Sequence, residues 1–520
     1  MQRFVIIRDM KSLHSFFEIV RFPLEVIFLA SMMLSLGNAL TNPAFGIPAV
    51  IDNAYFLKTA ELLMRTGQFL IINFPLVLMI RLSARKSGSG TTMVSCMAGY
   101  VAFLMATVLF ARSDLPAAAY SSIFGIAVSS SLLTDGTHYP LQTGMIATSF
   151  VVMITLRSYN RSKKKNEYGI FGFISRETSC TIRTIFFSFI AGIVVSFLWT
   201  YLIAFVQNLI HFISVDTTNP VNLTLYGILD GLFNTLGMGT MIRQPFWYST
   251  AGGSWVDVAG ASVSGDVNIW NAQLSAGSIN GIAGRLITPY YVLNIFAVPG
   301  MVWAMFSLYT DPIERRRKRL LAVIATIFSL LGGTLLPLEL MLLFLCPLLF
   351  CLHLGVSGIL FGILQAVRCS LGYQTSQNLV VTALPGTLPE FLTYISNPDL
   401  RMTLIGILIA GVVYFIIYFF MTRAYFNYLA IDLYNTGDKD RMVKGTIKAL
   451  GGIENVKMTH SSISQLVVQV YDPTAVDIER LKRLGSFRVY ESKAGFRICY
   501  GAGSAMIRRG IDQVRRDTIR

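Results

Sequence analysis

Ionisable side chains that interrupt apolar segments are the residues of this chain best suited to chemistry. Asp230, Arg243 and Glu339 lie within or beside long runs of aliphatic and aromatic residues. A charged group in such surroundings is expensive to bury and by default marks a functional site. Each of these three residues also has a structural interpretation. Glu339 could accept backbone hydrogen bonds in a hairpin next to Pro337, Asp230 could lie at a helix end, and the favoured alternative for the arginine is an anchor at the membrane interface.

Aromatic, histidine and cysteine residues add weaker candidates. Trp247 and Trp255 could stack on a sugar ring or belong to the aromatic belt at a membrane boundary. His211 and His353 lie on or beside apolar helices, where we expect hydrogen-bonded structural residues rather than ligands. The six cysteines show no CxxC or Cys/His spacing, so the sequence predicts no metal site, no cofactor and no disulfide.

The elements that hold these side chains are predicted to cross a membrane. Of 520 residues, 53% are hydrophobic and 14% charged, and the mean hydropathy is +0.58. A spanning helix needs about 20 mostly apolar residues, and the chain has many such runs. The clearest are Phe22–Leu40, Phe69–Leu82, Met93–Phe110, Leu141–Leu156, Ile182–Ile213, Ile287–Leu308, Leu320–Leu338, Leu340–Leu364 and Met402–Met421.

Other apolar segments are interrupted by small residues or proline. Ala117–Leu133 and Leu223–Met241 could each be a short span or a re-entrant hairpin. Leu236–Pro245 and Gly332–Pro337 predict discontinuous backbone at membrane depth, which is tolerated where it lines a cavity. We therefore expect a polytopic α-helical membrane protein of about ten spans, with an error of about two, that includes re-entrant hairpins.

The positive charge of the chain is concentrated between the predicted spans. The net charge is +15, and basic clusters occur at 81–86, 157–165 and 315–319. Short basic loops stay in the cytoplasm and contact anionic headgroups. The membrane therefore explains most of this charge, and no nucleic-acid partner is expected.

A small α/β domain is predicted at the C-terminus, because the apolar runs stop after Met421. We place the boundary so that residues 1–430 form a membrane domain and residues 438–520 a cytoplasmic domain. The hydrophobic patterns predict helices and strands in alternation. The predicted helices are Met442–Leu450 and Val476–Leu484, and the predicted strands are Gln465–Tyr471, Phe487–Glu491 and Phe496–Tyr500.

Several motifs resemble those of one bacterial transport family. In the tail they are Ala449–Val456 ("LGGxxNI"), Asp472–Asp477 with Leu481–Gly485 ("D…VD…LKxLG") and Phe496–Gly501 ("VQVxxG"). In the membrane part they are Phe16–Gly37, Cys96–Tyr100 ("AGxxGY"), Ser264–Leu274, Gly332–Leu340 ("GGTTEPLEF") and Cys346–Phe350 with His353. The tail resembles the enzyme IIB domain of the glucose/maltose family of the phosphoenolpyruvate-dependent sugar phosphotransferase system, and the membrane part resembles its fused enzyme IIC permease.

The resemblance implies a bacterial inner-membrane protein that couples sugar uptake to phosphorylation, with a homodimeric permease. In that family a cysteine of enzyme IIB passes a phosphoryl group to a sugar held in enzyme IIC. Such a relay needs an activated thiolate. It also needs a carboxylate and an imidazole near the sugar hydroxyl.

The tail departs from the family at the phosphoryl-carrying element. The "CxTRLR" element aligns with residues 462–467, so Ser462 stands at the phosphocysteine position and Gln465 and Val467 replace the two arginines. A serine hydroxyl without an adjacent base is a poor nucleophile at neutral pH. His460 lies close by, but a surface histidine is the favoured interpretation. No catalytic residue of the tail is intact.

The membrane part departs in the same way. The "ERxLxPxGLHH" element aligns with residues 230–240, which keep an acid at Asp230 and a glycine at Gly237. Its arginine has become Gly231, its paired histidines Gly239 and Thr240, and the first glutamate of "TEPLE" Leu336, while Glu339 is retained. The candidate sugar-binding residues are therefore Asp230, Gly239, Thr240, Arg243 and Glu339.

Four functions follow as hypotheses. The leading one is a permease-like protein for carbohydrate uptake that cannot relay phosphate through its own tail, with a sugar ligand. The second is a non-transporting membrane sensor or regulatory paralogue whose tail binds a phosphotransferase or regulatory partner. A conventional sugar-phosphorylating transporter, and phosphorylation in trans by another enzyme IIB, are further alternatives.

Overall fold

Apolar helices form most of the protein. The computed structural model describes residues 2–41, 51, 53–112, 115–121, 139–163, 175–256, 260–310, 312–374, 385–429, 439–486, 488–492 and 495–519. In the first part of the chain the helices are α1 (Gln2–Thr41), α2 (Ala54–Ile72), α3 (Phe74–Ser87), α4 (Thr91–Phe110), α5 (Gly144–Lys163), α6 (Arg176–Val215), α7 (Pro220–Thr235), α8 (Thr240–Tyr248) and α9 (Asp266–Ala276). They are followed by α10 (Thr288–Ser307), α11 (Pro312–Gly332), α12 (Leu336–Leu345), α13 (Pro347–Ala366), α14 (Leu388–Thr393) and α15 (Arg401–Ala424).

The predicted multi-span architecture is confirmed. Within the described ranges, six helices are long and apolar enough to cross a membrane, or seven if α2 and α3, bent by 56°, form one span. The helices α5 and α11 fall outside this set, because arginine and lysine lie within them. The predicted total of about ten spans stays a prediction, and most of Ala117–Leu133 lies outside the described residues.

Several predicted spans are broken helices. The run Leu340–Leu364 was expected to be one span, but it is divided at Cys346, because Pro347 cannot continue the hydrogen bonding of α12. The backbone is also interrupted at 236–239, between α7 and α8, and at 333–335, between α11 and α12. Gly237 at φ +78° and Gly333 at φ +56° adopt left-handed conformations there, which glycine tolerates without steric strain.

Close helix packing in the membrane part depends on glycine. The helices α1 and α2 meet at Gly37 and Gly67. A Cβ atom at Gly37 would lie 2.5 Å from the backbone nitrogen of Met64, and one at Gly67 would lie 2.5 Å from the carbonyl oxygen of Ala30. Small residues let helices approach in this way when apolar lipid supplies no driving force for association.

The C-terminal segment forms a four-stranded antiparallel sheet with helices and its own hydrophobic core. Its elements are α16 (Lys439–Ala449), β3 (Val456–Ser461), β4 (Leu466–Val470), α17 (Ile478–Arg483), β5 (Val489–Ser492), β6 (Gly495–Ile498) and α18 (Ser504–Ile519), after the short hairpin β1 (Ser254–Val256) and β2 (Ser262–Ser264) of the membrane part. The strand order is β3-β4-β6-β5. Leu466, Val468, Phe496 and Ile498 point into the core.

Replacing Gly67 by alanine should destabilise the α1–α2 contact, because the added methyl group meets backbone rather than a movable side chain. We expect the free energy of unfolding to fall by about 1–3 kcal/mol, measured by thermal unfolding in detergent. Gly355→Ala is the matched control, because the space around Gly355 is open. It should be neutral or stabilising by up to about 1 kcal/mol. Equal stability of the two variants would contradict this packing.

Candidate functional site

The ends of two broken helices bring the first candidate group together. Asp230, one turn before the end of α7, is only 2% exposed and accepts two hydrogen bonds from Arg243 of α8, at 2.6 Å from Nε and 2.9 Å from Nη2. The Tyr290 hydroxyl of α10 also donates to Asp230, and Arg243 Nη2 lies 3.2 Å from that hydroxyl. This geometry fits the interpretation of Arg243 as a polar partner within the site. It does not fit the favoured interpretation, an anchor at the membrane interface.

Aromatic rings enclose the guanidinium group of Arg243. Its Cζ lies 5.3 Å from the ring centre of Trp247 and 5.6 Å from that of Tyr290, distances at which a cation and a π face attract. Trp247 is fully buried, and its Nε1 donates to the hydroxyl of Tyr226 at 2.8 Å. Trp247 is therefore neither an exposed sugar platform nor part of an interfacial belt, while Trp255 lies half-buried in β1.

Glu339 of α12 forms a second polar group with residues of α7 that lie one turn after Asp230. Its Oε2 accepts hydrogen bonds from Asn234 Nδ2 and Thr235 Oγ1, both at 3.0 Å, and it is 2% exposed. Of the alternatives for Glu339, the hairpin cap called for backbone donors, whereas the donors found here are side chains, because the start of α12 lies beside the end of α7 in space. The predicted structural role of His353 fits its position: Nε2 lies 3.8 Å from Glu339 Oε1 and Nδ1 lies 2.8 Å from the hydroxyl of Tyr418.

The positions that the resemblance aligns with the family's paired histidines lie where α8 begins, since Gly239 precedes this helix and Thr240 is its first residue. Thr240 donates a hydrogen bond of 2.6 Å to Gln142 Oε1, and Trp199 Nε1 donates to the carbonyl oxygen of Gln142. A Cβ atom at Gly239 would lie 3.0 Å from the Cα and Oδ1 atoms of Asn234. A larger residue at 239 would therefore press on the amide that holds Glu339.

Gly231, which the resemblance aligns with the family's arginine, packs against Leu354. A Cβ atom at Gly231 would lie 2.8 Å from Leu354 Cδ2 and 4.0 Å from Glu339 Oε1. A side chain at 231 would therefore require the end of the Leu354 side chain to shift. In this chain the guanidinium comes instead from Arg243, and it pairs with Asp230.

The two groups together offer hydrogen-bonding atoms in a buried apolar setting. Asp230 and Asn234 are four positions apart on α7 and share one face of that helix. Carboxylates and a guanidinium in this arrangement suit a ligand rich in hydroxyl groups, because each hydroxyl both donates and accepts. The carboxylates already carry side-chain partners, so the arrangement favours recognition over proton abstraction.

A separate cavity lies on the opposite face of α8. It measures about 370 Å³ and is lined by Ile203, Gln207 and His211 of α6 and by Met241 and Pro245 of α8. Met241 and Pro245 are one helical turn apart and face away from Arg243 and Trp247. The candidate polar residues therefore do not line this cavity.

In the tail, Ser462 lies in the tight turn between β3 and β4. Its backbone nitrogen donates to the carbonyl oxygen of Gln465 at 2.8 Å, and the nitrogen of Gln465 donates to Ser462 Oγ at 3.1 Å. Ser462 is 5% exposed. Its hydroxyl is thus used to close the turn rather than presented to solvent.

A cysteine does lie near this turn. The thiol of Cys499 contacts the side chain of Gln465, and burial raises the pKa of that thiol above its ordinary value. A thiol that stays protonated at neutral pH is a weak nucleophile. Cys499 is therefore a weak nucleophile at neutral pH.

Sequence reasoning missed several residues of the site. Asn234 and Thr235 lie in the aligned 230–240 element, and their helical spacing from Asp230 was a usable signal. Tyr290 is 60 positions from Asp230, and Tyr418 is 65 positions from His353. No local pattern connects such distant pairs.

Comparison with known proteins decides the family. Residues 17–358 match the family described as "Phosphotransferase system, EIIC". The chain belongs to the phosphotransferase system EIIC family. The matched range contains Asp230, Arg243 and Glu339, so both polar groups lie within the EIIC part of this multi-span membrane protein.

The relatives of this EIIC protein include two from staphylococci. The "PTS system glucoside-specific EIICBA component" of Staphylococcus carnosus is 24% identical over 517 residues, which cover 95% of this chain and 71% of that protein. The "PTS system glucose-specific EIICBA component" of Staphylococcus saprophyticus subsp. saprophyticus is 25% identical over 520 residues, covering 96% and 72%.

A solved structure is also similar. It is the crystal structure of the transporter ChbC, the IIC component from the N,N'-diacetylchitobiose-specific phosphotransferase system. The identity is 12%, the likeness covers 82% of this chain and 94% of that chain, and the TM-score is 0.30.

Removing Arg243 should leave the buried carboxylate of Asp230 without a counter-charge, with only the Tyr290 hydroxyl as a partner. We expect Arg243→Ala to lower the free energy of unfolding by about 3–5 kcal/mol, and the double variant Asp230→Ala/Arg243→Ala to recover part of that loss. Thermal unfolding in detergent measures both. Arg65→Ala, which breaks an exposed 2.7 Å pair with Glu61, is the control and should change stability by about 0–1 kcal/mol. A loss in Arg243→Ala no larger than in the control would contradict the role of the buried pair.

Proposed function

We propose that this EIIC-family protein is a sugar permease of the glucose/maltose group, and that it takes up carbohydrate without passing a phosphoryl group through its own tail. The observation that carries the proposal is the contrast between the membrane part and the tail of this chain. The membrane part keeps buried carboxylates at Asp230 and Glu339, whereas the tail has Ser462 closed into a turn.

Sugar recognition is supported by the chemistry of the membrane site. Asp230 and Glu339 supply acceptors, Arg243 supplies donors, and Thr240 supplies a hydroxyl beside the glycine at 239. The printed names of the two relatives refer to glucoside and glucose. Together these favour a hexose or hexoside as the ligand.

The absence of a phosphoryl relay is supported by the residues of the turn. A serine, a glutamine and a valine stand where the family has its cysteine and two arginines. A phosphoryl group carries about two negative charges at neutral pH and needs positive partners. Val467 lies in β4, paired with His460 and Arg497 in the sheet register, and its own side chain cannot supply such a partner.

The domain division and the location belong to the same proposal. Residues 1–430 form the permease and residues 438–520 an enzyme IIB-like domain on the cytoplasmic side of the bacterial inner membrane. The separate hydrophobic core of the tail and the basic segments at 81–86, 157–165 and 315–319 support this arrangement. The "EIICBA" names of the relatives fit it. A homodimeric permease is carried over from the family.

A second candidate function is a non-transporting membrane sensor. It is favoured by the internal pairing of Asp230 with Arg243 and of Glu339 with Asn234 and Thr235, which leaves the site stable without a ligand. A sensor would bind sugar and change its contacts with a partner, without carrying the sugar across.

The relay is tested by phosphoryl transfer to the whole chain. Radiolabelled phosphoenolpyruvate and the general phosphotransferase proteins should leave this protein unlabelled, because the turn at Ser462 lacks both thiolate and arginines. A family member with an intact phosphocysteine, in the same reaction, shows that the assay works. Stable label on any residue of this chain would favour the conventional phosphorylating transporter.

Transport is tested by sugar uptake in a host that lacks its own glucose and maltose permeases. Asp230→Asn should reduce uptake at least tenfold, because the charged partner of Arg243 is lost, whereas Ser462→Ala should leave it within twofold. Labelled glucose, maltose and a glucoside are compared. No uptake of any sugar, together with measurable sugar binding by the purified protein, would favour the sensor.

A further inference from the structure

The turn at the phosphocysteine position lies directly against the membrane part. The Thr310 nitrogen, just after α10, donates to the carbonyl oxygen of Ser461 at 3.0 Å, and the Ser461 nitrogen donates to Thr310 Oγ1 at 2.8 Å. The Ser461 hydroxyl lies 3.4 Å from the carbonyl oxygen of Leu308. The backbone of the tail is thus hydrogen-bonded to the residues that directly follow α10.

Apolar contacts reinforce these hydrogen bonds. Ile463, at the tip of the turn, packs against the hydrophobic core of the membrane part, and Ala505 of α18 belongs to that core. Tyr425 and Phe426, which follow α15, are fully buried members of the same core. The tail therefore contacts the ends of both α10 and α15.

A buried turn is unsuited to a mobile domain that carries a phosphoryl group. A carrier must expose its reactive group to a donor and then to an acceptor, so its contacts with either have to be weak. Here Ser461 is 3% exposed, and its backbone hydrogen-bonding groups are paired with the membrane part. Each such hydrogen bond makes only a modest net contribution, because water replaces the lost partner. Separation would also expose the apolar Ile463 and Ala505 to water, so it is disfavoured.

We propose that the tail is a fixed clamp, anchored by the β3–β4 turn, which joins the ends of α10 and α15 during the whole transport cycle. The clamp residues are Ser461 and Ile463 of the turn, with Thr310 and Leu308 as their site on the membrane part. This inference rests on the proposed function in one respect, since only a tail that relays no phosphate can stay in place.

Disulfide trapping in the full-length protein tests the clamp. Thr310→Cys/Ser461→Cys is introduced after the exposed Cys351 and half-buried Cys499 are changed to serine, and membrane vesicles are oxidised with copper phenanthroline. The directly hydrogen-bonded backbones fit the short Cα separation that a disulfide needs. Thr310→Cys/Lys457→Cys is the control, because Lys457 is exposed and lies about 13 Å along the same strand from Ser461. Blocked maleimide labelling measures the cross-linked fraction over time.

The clamp predicts cross-linking at least tenfold faster for Thr310–Ser461 than for the control, and uptake within twofold before and after oxidation. Adding Ile463→Glu to the same pair should slow cross-linking at least fivefold, because a charge enters the apolar contact. Equal rates for the two pairs, or uptake lost on cross-linking and restored by reductant, would overturn the clamp. If no variant transports sugar, the proposed permease fails, but the cross-linking rates still decide the clamp.

Discussion

The ion pair between Asp230 and Arg243 is the interaction on which the arrangement of the membrane site depends. Neither charge can be left alone in an apolar interior, so α7 and α8 must meet at this point. Tyr290 donates to the same carboxylate and brings α10 to the pair. Three segments that are separate in the chain are thus fixed by one charged group, and the broken backbone between α7 and α8 is what lets Arg243 turn back toward Asp230.

The glycines at 231 and 239 are closely packed against their surroundings. Glycine at 239 leaves room for Asn234 to hold Glu339, and glycine at 231 leaves room for Leu354. A side chain at 231 would meet the end of the Leu354 side chain. The small residues at 231 and 239 are therefore part of the packing that holds the hydrogen bonds of this site.

Sequence alone predicted the parts of the protein that depend on local pattern. Apolar runs gave the spanning helices, and the Gly/Pro interruptions near 236 and 333 marked the breaks. Asp230 and Glu339 were identifiable because a carboxylate in an apolar run is unusual.

β3 was missed because the segment Val456–Ser461 does not alternate cleanly and contains a register shift. The amphipathic α18, with Ile507, Ile511 and Val514 on one face, was detectable but overlooked. The contact of Ser461 with Thr310 joins residues 151 positions apart, and no periodicity reports such a pairing.

The position of the β3–β4 turn also bears on the source of free energy for sugar uptake. A sugar phosphotransferase traps its cargo as a charged ester, so uptake is driven by the free energy of phosphoenolpyruvate. In the proposed function, the β3–β4 turn stays packed against Leu308 and Thr310, and that chemical energy has no path to the sugar in the membrane. Net flux then follows the concentration difference of free sugar, and it reverses when the inside concentration is higher. Such a protein would equilibrate its cargo across the membrane, and its direction of transport would be independent of the energy state of the cell.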